Sequence, residues 1–230
     1  MKISIFTIFF ILKGGIFVKT TKTKQMTLIA ILAALGMLLN LIEIPYPLAP
    51  WLNLDLSEVV VLTAVSSLGI IPAFFVCICK FLISIMFKGP VGPIAIGQIT
   101  ALIASMTICV SFYTLKKVLH FKSQGLNYII NMLITMLIFA FVMFIINYLF
   151  VTPTYLMNKP MWYSNLPFDV DIMAFNQQYG GNITVPSFLN FMSPYGQAIF
   201  IIYFPFNFIK GIICAVVYKF IQPLEKKFIH

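Results

Sequence analysis

Residues 59–85 read VVVLTAVSSLGIIPAFFVCICKFLISI, an apolar run that is too long for a single membrane-crossing helix of about 20 residues. Its centre carries Gly69-Ile70-Ile71-Pro72, and glycine and proline in such a position favour a tight turn. The run therefore predicts two rather short helices joined by that turn. Lys80 lies inside the second helix, and the sequence leaves open whether it lines a cavity or pairs with a carbonyl.

The composition is that of an integral membrane protein. Hydrophobic residues make up 61% of the 230-residue chain and charged residues 9%, which leaves too little polar surface to cover a water-soluble globule. All fifteen basic residues are lysine, so the bidentate arginine chemistry that recognises phosphate and carboxylate groups is absent. We therefore expect the lipid bilayer, and no nucleic acid, as a partner.

The apolar stretches together predict six transmembrane helices. They lie at residues 26–44, in two parts at 59–85, and at 94–115, 127–151 and 195–221. Lysines cluster before the first helix, between the fourth and the fifth, and after the last, whereas the opposite connectors hold most of the acidic residues. Because cytoplasmic loops retain lysine, we expect an all-α membrane protein with both termini in the cytoplasm.

The remaining segments fit around one membrane domain. Residues 1–25 form a predicted N-terminal extension that includes an apolar, interfacial stretch, and residues 26–230 form the six-helix domain. Within that domain, residues 152–194 are predicted to be a long extracellular loop, and loops of this length are commonly functional.

Catalytic motifs are absent from the sequence. It has no G-x-x-x-x-G-K-[ST] phosphate loop, no H-E-x-x-H and no G-x-S-x-G, and the predicted helices contain no pair of carboxylates to act as acid and base. The four cysteines lie in apolar runs without metal-ligand spacing. We expect no enzyme activity, no catalytic residue and no bound metal.

Asn207 and Lys210 are the leading candidates for a binding site, because they lie deep in the last apolar stretch. A lysine at the centre of a membrane helix costs about 2.5–3.5 kcal/mol, so it normally faces a cavity, a partner or a ligand. The three-residue spacing puts both side chains on one helix face, and Pro205 just before them frees a backbone carbonyl. The alternative is that Lys210 extends toward the cytoplasmic surface while the surrounding aromatic residues pack against lipid.

Polar and small residues elsewhere have two interpretations each. Asn147 is suited to a ligand with mixed hydrogen-bond edges or to a bond between helices. Asp55 either caps the helix that follows it or contacts a ligand. Gly97 and Gln98 lie where the fourth predicted helix begins, a place for close backbone approach to a ligand. On the first helix, Ala30, Ala33 and Ala34 form a small-residue surface for a partner helix or for internal packing; these three residues are the candidates for docking.

The order of these features resembles the substrate-binding S components of energy-coupling factor (ECF) vitamin transporters, most closely the riboflavin-specific type. The resemblance covers most of residues 26–227. It rests on the Ala30–Ala34 motif, the run Pro50-Trp51-Leu52-Asn53-Leu54-Asp55, Lys80, Gly97, Asn147 before Tyr148, and Phe206-Asn207-Phe208-Ile209-Lys210-Gly211. Where such proteins are expected to carry Gly-Glu-Leu-Ala-Asn, this chain has Gly97-Gln98-Ile99-Thr100-Ala101.

The resemblance implies a six-helix bundle in a bacterial-type plasma membrane that binds a vitamin near its extracellular face. Riboflavin would be the transported ligand, not a cofactor, and a transmembrane coupling protein with two ATPase subunits would supply the energy. The implied substrate-binding residues are Leu54, Asp55, Gly97, Gln98, Asn147, Asn207 and Lys210. The alternatives are an S component for another vitamin, such as thiamine or folate, and a self-sufficient secondary transporter.

Overall fold

The computed structural model describes residues 22–47, 49–119, 123–157 and 184–228. Most of the predicted N-terminal extension, residues 1–21, and the central part of the predicted long loop, residues 158–183, lie outside the described residues. The described chain is mostly helical, and five of its helices are long and apolar enough to cross a membrane.

The secondary structure is mainly a succession of helices interrupted by one β-hairpin. In chain order the elements are α1 Lys22–Leu41, β1 Ile44–Tyr46, β2 Ala49–Leu54, α2 Ser57–Ser67, α3 Ile70–Lys88, α4 Ile96–Val118, α5 Gln124–Ile146, α6 Thr152–Met157 and α7 Pro194–Phe228. A π-helical turn at Asn147–Val151 joins α5 to α6, and short 3-10 turns lie at Pro93–Ala95 and Ser187–Leu189.

Five of the six predicted spans correspond to the long helices α1, α3, α4, α5 and α7. The other, α2, has only 11 residues and rises about 16 Å, roughly half the thickness of the hydrocarbon core. The turn predicted between α2 and α3 is present, and Gly69 there has a φ of 90°, a conformation that glycine adopts without strain.

The hairpin explains why α2 is short. Strands β1 and β2 pair antiparallel in the segment between the first two predicted helices, where the sequence indicated no strands. The residue that follows β2, Asp55, contacts Lys210, which lies sixteen residues into α7, a rise of roughly 24 Å from the beginning of that helix. The hairpin therefore leads the chain into the interior of the bundle, and α2 begins there.

The bundle has apolar residues both inside and outside. Its core is a continuous cluster contributed by α1 to α5 and α7, and α2 is buried along nearly its whole length. Large apolar side chains also cover the outer faces of the helices, among them Ile31, Leu38, Phe75, Leu82, Leu133 and Phe141. Such a surface suits lipid rather than water, in agreement with the predicted membrane protein.

Candidate functional site

The hairpin packs against the last helix through a second, separate apolar cluster. Tyr46 and Ala49 of the hairpin are buried together with Ile202 and Phe206 of α7. The rings of Tyr46 and Phe206 meet edge to face with centroids 5.2 Å apart, a favourable geometry for an aromatic pair. Leu54, predicted to be a substrate contact, packs against this cluster at the end of β2.

Asp55 and Lys210, both predicted from the sequence as ligand contacts, form an ion pair with each other. Lys210 Nζ lies 2.6 Å from Asp55 Oδ2, and both side chains are largely buried. The other carboxylate oxygen, Oδ1, accepts a hydrogen bond at 2.9 Å from the backbone N–H of Ser57, the first residue of α2.

Lys80 makes a second buried ion pair one turn further along α2. Its Nζ donates to Glu58 Oε1 at 3.0 Å, to Ser57 Oγ at 3.2 Å and to Ser105 Oγ at 2.8 Å, which uses all three N–H groups. A Cβ added to Gly36 of α1 would lie 3.2 Å from the Lys80 side chain, so α1 also packs closely at this point. Lys80 thus joins α1, α2, α3 and α4, and it pairs with a carboxylate rather than a carbonyl while it also lines a small cleft.

We call Asp55, Glu58, Lys80 and Lys210 the central charge cluster. Two carboxylates that the sequence placed in a connector lie inside the bundle, since Asp55 and Glu58 are only 8% and 2% exposed, and each is paired with a lysine. Sequence reasoning placed both in an outer connector because it did not foresee that the hairpin enters the bundle. The available signal was the pair of lysines themselves, since a charged side chain inside a membrane protein commonly pairs with an opposite charge.

Asn147 and Asn207 are both buried, at different depths. Each amide Nδ2 donates to the carbonyl four residues earlier, Met143 and Tyr203 respectively, and within the described part of the chain neither Oδ1 has a hydrogen-bond partner. Asn147 begins the π-helical turn, and the ring of its neighbour Tyr148 packs at a tilt against that of Tyr195, with centroids 5.0 Å apart. Asn207 lies twelve residues beyond Tyr195 on α7, roughly 18 Å deeper along the helix.

The aromatic residues around Asn207 divide between two faces of α7. Phe200, Phe204 and Phe208 form a stacked row with successive centroids 4.9 Å and 6.4 Å apart. Phe206 faces the hairpin instead, with Tyr203 packed beside it. The helix continues through Pro205, whose missing N–H leaves the carbonyl of Ile201 without its usual helical donor, as the sequence indicated.

Gly97 and Gln98 lie in the first turn of α4, away from the hairpin cluster. Gln98 Nε2 donates to the carbonyl of Gly89 at 2.6 Å, and its Oε1 accepts from the N–H of Val91 at 2.9 Å. A Cβ on Gly97 would lie 3.0 Å from Val91, so glycine allows this turn to fold back on α4. Gln98 also lines a small cleft with Asn40, Lys80, Phe81, Ser84, Ala101 and Leu102.

The three alanines of α1 differ in their surroundings. Ala30 and Ala34 are exposed on the outer face, where another helix can approach. Ala33 is fully buried in the core of the bundle. Internal packing therefore accounts for Ala33, while Ala30 and Ala34 remain available to a partner.

A bundle of apolar helices with an inserted hairpin and an interior charge cluster indicates a multi-pass membrane protein. A model of the family described as "ECF transporter, substrate-specific component" matches residues 24–222, and the chain belongs to this family. The resemblance inferred from the sequence is thereby confirmed. The family is a component of transporters and not a family of hydrolases.

Three similar proteins have been described. Riboflavin transporter FmnP of Bacillus subtilis (strain 168) is 24% identical over 201 residues, which cover 87% of this chain and 90% of that protein. Riboflavin transporter RibU of Staphylococcus aureus (strain TCH60) is 26% identical over 200 residues, which cover 86% of this chain and 87% of that protein. A solved S component of a bacterial ECF transporter has the same fold, with a TM-score of 0.62 and 22% identity over 90% of this chain and 98% of that one.

Proposed function

We propose that this protein is the riboflavin-binding membrane subunit of an ECF-type ABC transporter and captures the vitamin outside the cell for ATP-driven uptake. Membership of the substrate-specific component family supports the transport role, and the two relatives named as riboflavin transporters support the substrate. The observation that carries the proposal is the packing of the hairpin on α7, which brings Leu54 and Asp55 to the same helix as Asn207 and Lys210.

The chemistry of these residues suits riboflavin. The vitamin has a broad flat ring system, amide-like ring edges and a hydroxylated chain, so it requires apolar walls and a few placed polar groups. Leu54 and the aromatic residues of α7 would enclose the ring, while Asn147, Asn207 and Lys210 would hydrogen-bond the ring edge or the ribityl chain. The proposal leaves Gln98 out of the ligand contacts, because its amide already binds the turn at residues 89–91.

The substrate proposal is tested by purifying the protein in detergent and titrating it with riboflavin. We expect a yellow flavin to co-purify, and we expect its fluorescence to be quenched when added riboflavin binds. Thiamine and folate serve as competitors. Displacement by either of them, or absence of any flavin binding, would contradict the riboflavin assignment, and uptake by the chain alone in liposomes would favour a secondary transporter.

The proposed partners are an ECF transmembrane coupling protein and two ATPase subunits. The chain itself lacks a phosphate-binding loop, so the energy for uptake would come from these partners. The exposed Ala30 and Ala34 on α1 offer the small-residue surface on which a helix of the coupling protein would pack.

The docking surface is tested with tryptophan at Ala30 or Ala34. We expect loss of co-purification with the coupling protein and loss of uptake, with riboflavin binding by the isolated subunit retained. Leu137→Trp, at an exposed position on α5, is the matched control and should keep both. Assembly that survives both alanine substitutions would exclude this face of α1.

A further inference from the structure

The central charge cluster contains two acidic and two basic side chains, so its formal net charge is zero. Asp55 pairs with Lys210 at 2.6 Å, and Glu58 pairs with Lys80 at 3.0 Å. The two pairs adjoin each other, because Ser57 contacts both Asp55 and Lys80. Of the two lysines, Lys210 lies on the helix that carries the proposed ligand contacts.

Lys210 keeps hydrogen-bonding capacity although its charge is compensated. An ammonium group has three N–H donors, and among the described residues Lys210 uses one of them, on Asp55. Two donors therefore remain for the oxygen or nitrogen acceptors of a ligand. The carboxylate beside the ammonium cancels most of the attraction that an anionic ligand would otherwise experience.

We propose that Asp55 is a specificity-determining residue that keeps the binding site electrically neutral and so favours uncharged riboflavin over its phosphorylated form. This inference rests on the proposed riboflavin site. A lone lysine in a buried site attracts phosphate as a point charge. Because Asp55 neutralises Lys210 at contact distance, the site has donors for neutral hydroxyl and carbonyl groups but no net positive charge for a phosphate.

The inference makes opposite predictions for the two partners of the ion pair. Asp55→Asn keeps an oxygen to accept from Ser57 N–H but leaves Lys210 uncompensated, so riboflavin 5′-phosphate should gain affinity relative to riboflavin. Lys210→Met leaves the Asp55 carboxylate uncompensated and should disfavour the phosphate further. The double variant is neutral again and should restore a preference close to the native one.

The experiment measures the dissociation constants of riboflavin and of riboflavin 5′-phosphate for the native protein and each variant. We expect Asp55→Asn to lower the ratio of the phosphate constant to the riboflavin constant by about tenfold or more, Lys210→Met to raise it, and the double variant to bring it back. Glu58→Gln is the matched control, because it removes the same charge from the cluster beside Lys80 instead of Lys210.

Each outcome bears on a different claim. Absence of riboflavin binding by the native protein contradicts the proposed function. If the native protein binds riboflavin but the ratio of the two dissociation constants is unchanged in Asp55→Asn, the specificity role of Asp55 is overturned and the proposed function is not. The same holds if Glu58→Gln changes that ratio equally. If Asp55→Asn does not fold, Lys210→Met tests the same coupling with the opposite sign, and an unchanged ratio there overturns it as well.

Discussion

At the scale of single residues, the main feature is the compensation of charge inside an apolar bundle. Lys80 and Lys210 are separated along the chain from Glu58 and Asp55 by 22 and 155 positions. Removal of one partner of a buried ion pair typically costs about 3–5 kcal/mol, because the remaining charge lacks compensation, whereas replacement of both partners can be nearly neutral. The two ion pairs therefore fix the position of α2, while their net contribution to the free energy of unfolding is small.

The different costs of removing one partner and of replacing both predict how variants of the Lys80–Glu58 pair affect stability. Lys80→Met and Glu58→Gln should each lower the thermal unfolding temperature in detergent, since each leaves a buried polar or charged group without its partner. The double variant should lose less stability than the sum of the two single variants. Strictly additive losses in this double-mutant cycle would show that the two side chains do not act as a pair.

At the scale of elements, the short α2 and the long α7 are complementary. The hairpin occupies the outer part of the path that a full-length second helix would fill, and its aromatic cluster holds it to α7. On another side, α7 approaches α5 so closely that a Cβ on Gly211 would lie 2.6 Å from Met136 Sδ and 3.2 Å from Met136 Cβ. Glycine at this position lets the two helices meet with almost no gap.

The close approach predicts that Gly211→Ala destabilises the protein, although alanine is the better helix former. The added methyl group must displace the Met136 side chain, and overpacking of this kind costs about 1–3 kcal/mol. Met136→Ala in the same chain should recover part of the loss. Gly125→Ala is the control, because a Cβ there meets only Ser123 Oγ at 3.9 Å, and the unfolding temperature should stay level or rise.

At the scale of the whole molecule, charged and polar contacts mark the two ends of the bundle. Glu43, after α1, pairs with Lys88 at the end of α3, and Asn53 of the hairpin donates to Glu43 at 2.6 Å. At the opposite end Lys116 Nζ lies 3.4 Å from Ser66 Oγ, beside the turn between α2 and α3. The lysine distribution predicts that this second end is cytoplasmic.

The orientation is tested by labelling single cysteines in intact cells after the four native cysteines have been replaced by alanine. Ile42→Cys, exposed at the end with Glu43, should react with a membrane-impermeant maleimide added outside. Val118→Cys, exposed at the end of α4, should react only after the cells are permeabilised. Reversed labelling would contradict cytoplasmic termini.

The sequence by itself determined the membrane class, the long apolar helices, the turn at Gly69 and the family. The helices and the turn follow from local signals, since apolar run length and glycine or proline position act over at most a few tens of residues, whereas the family follows from the order of motifs over residues 26–227. The sequence also indicated Asp55, Asn207 and Lys210 as unusual residues, from the free energy of placing polar groups in an apolar stretch.

Only the tertiary structure decided which of these groups meet. Asp55 and Lys210 were both predicted as ligand contacts, but their mutual ion pair depends on a hairpin that carries Asp55 into the bundle. Gln98, which was predicted as a ligand contact, binds a turn through its amide, and Ala33, which was predicted for a partner, packs in the core. Contacts between residues distant in sequence arise from packing of whole elements, so residue type and spacing cannot specify them.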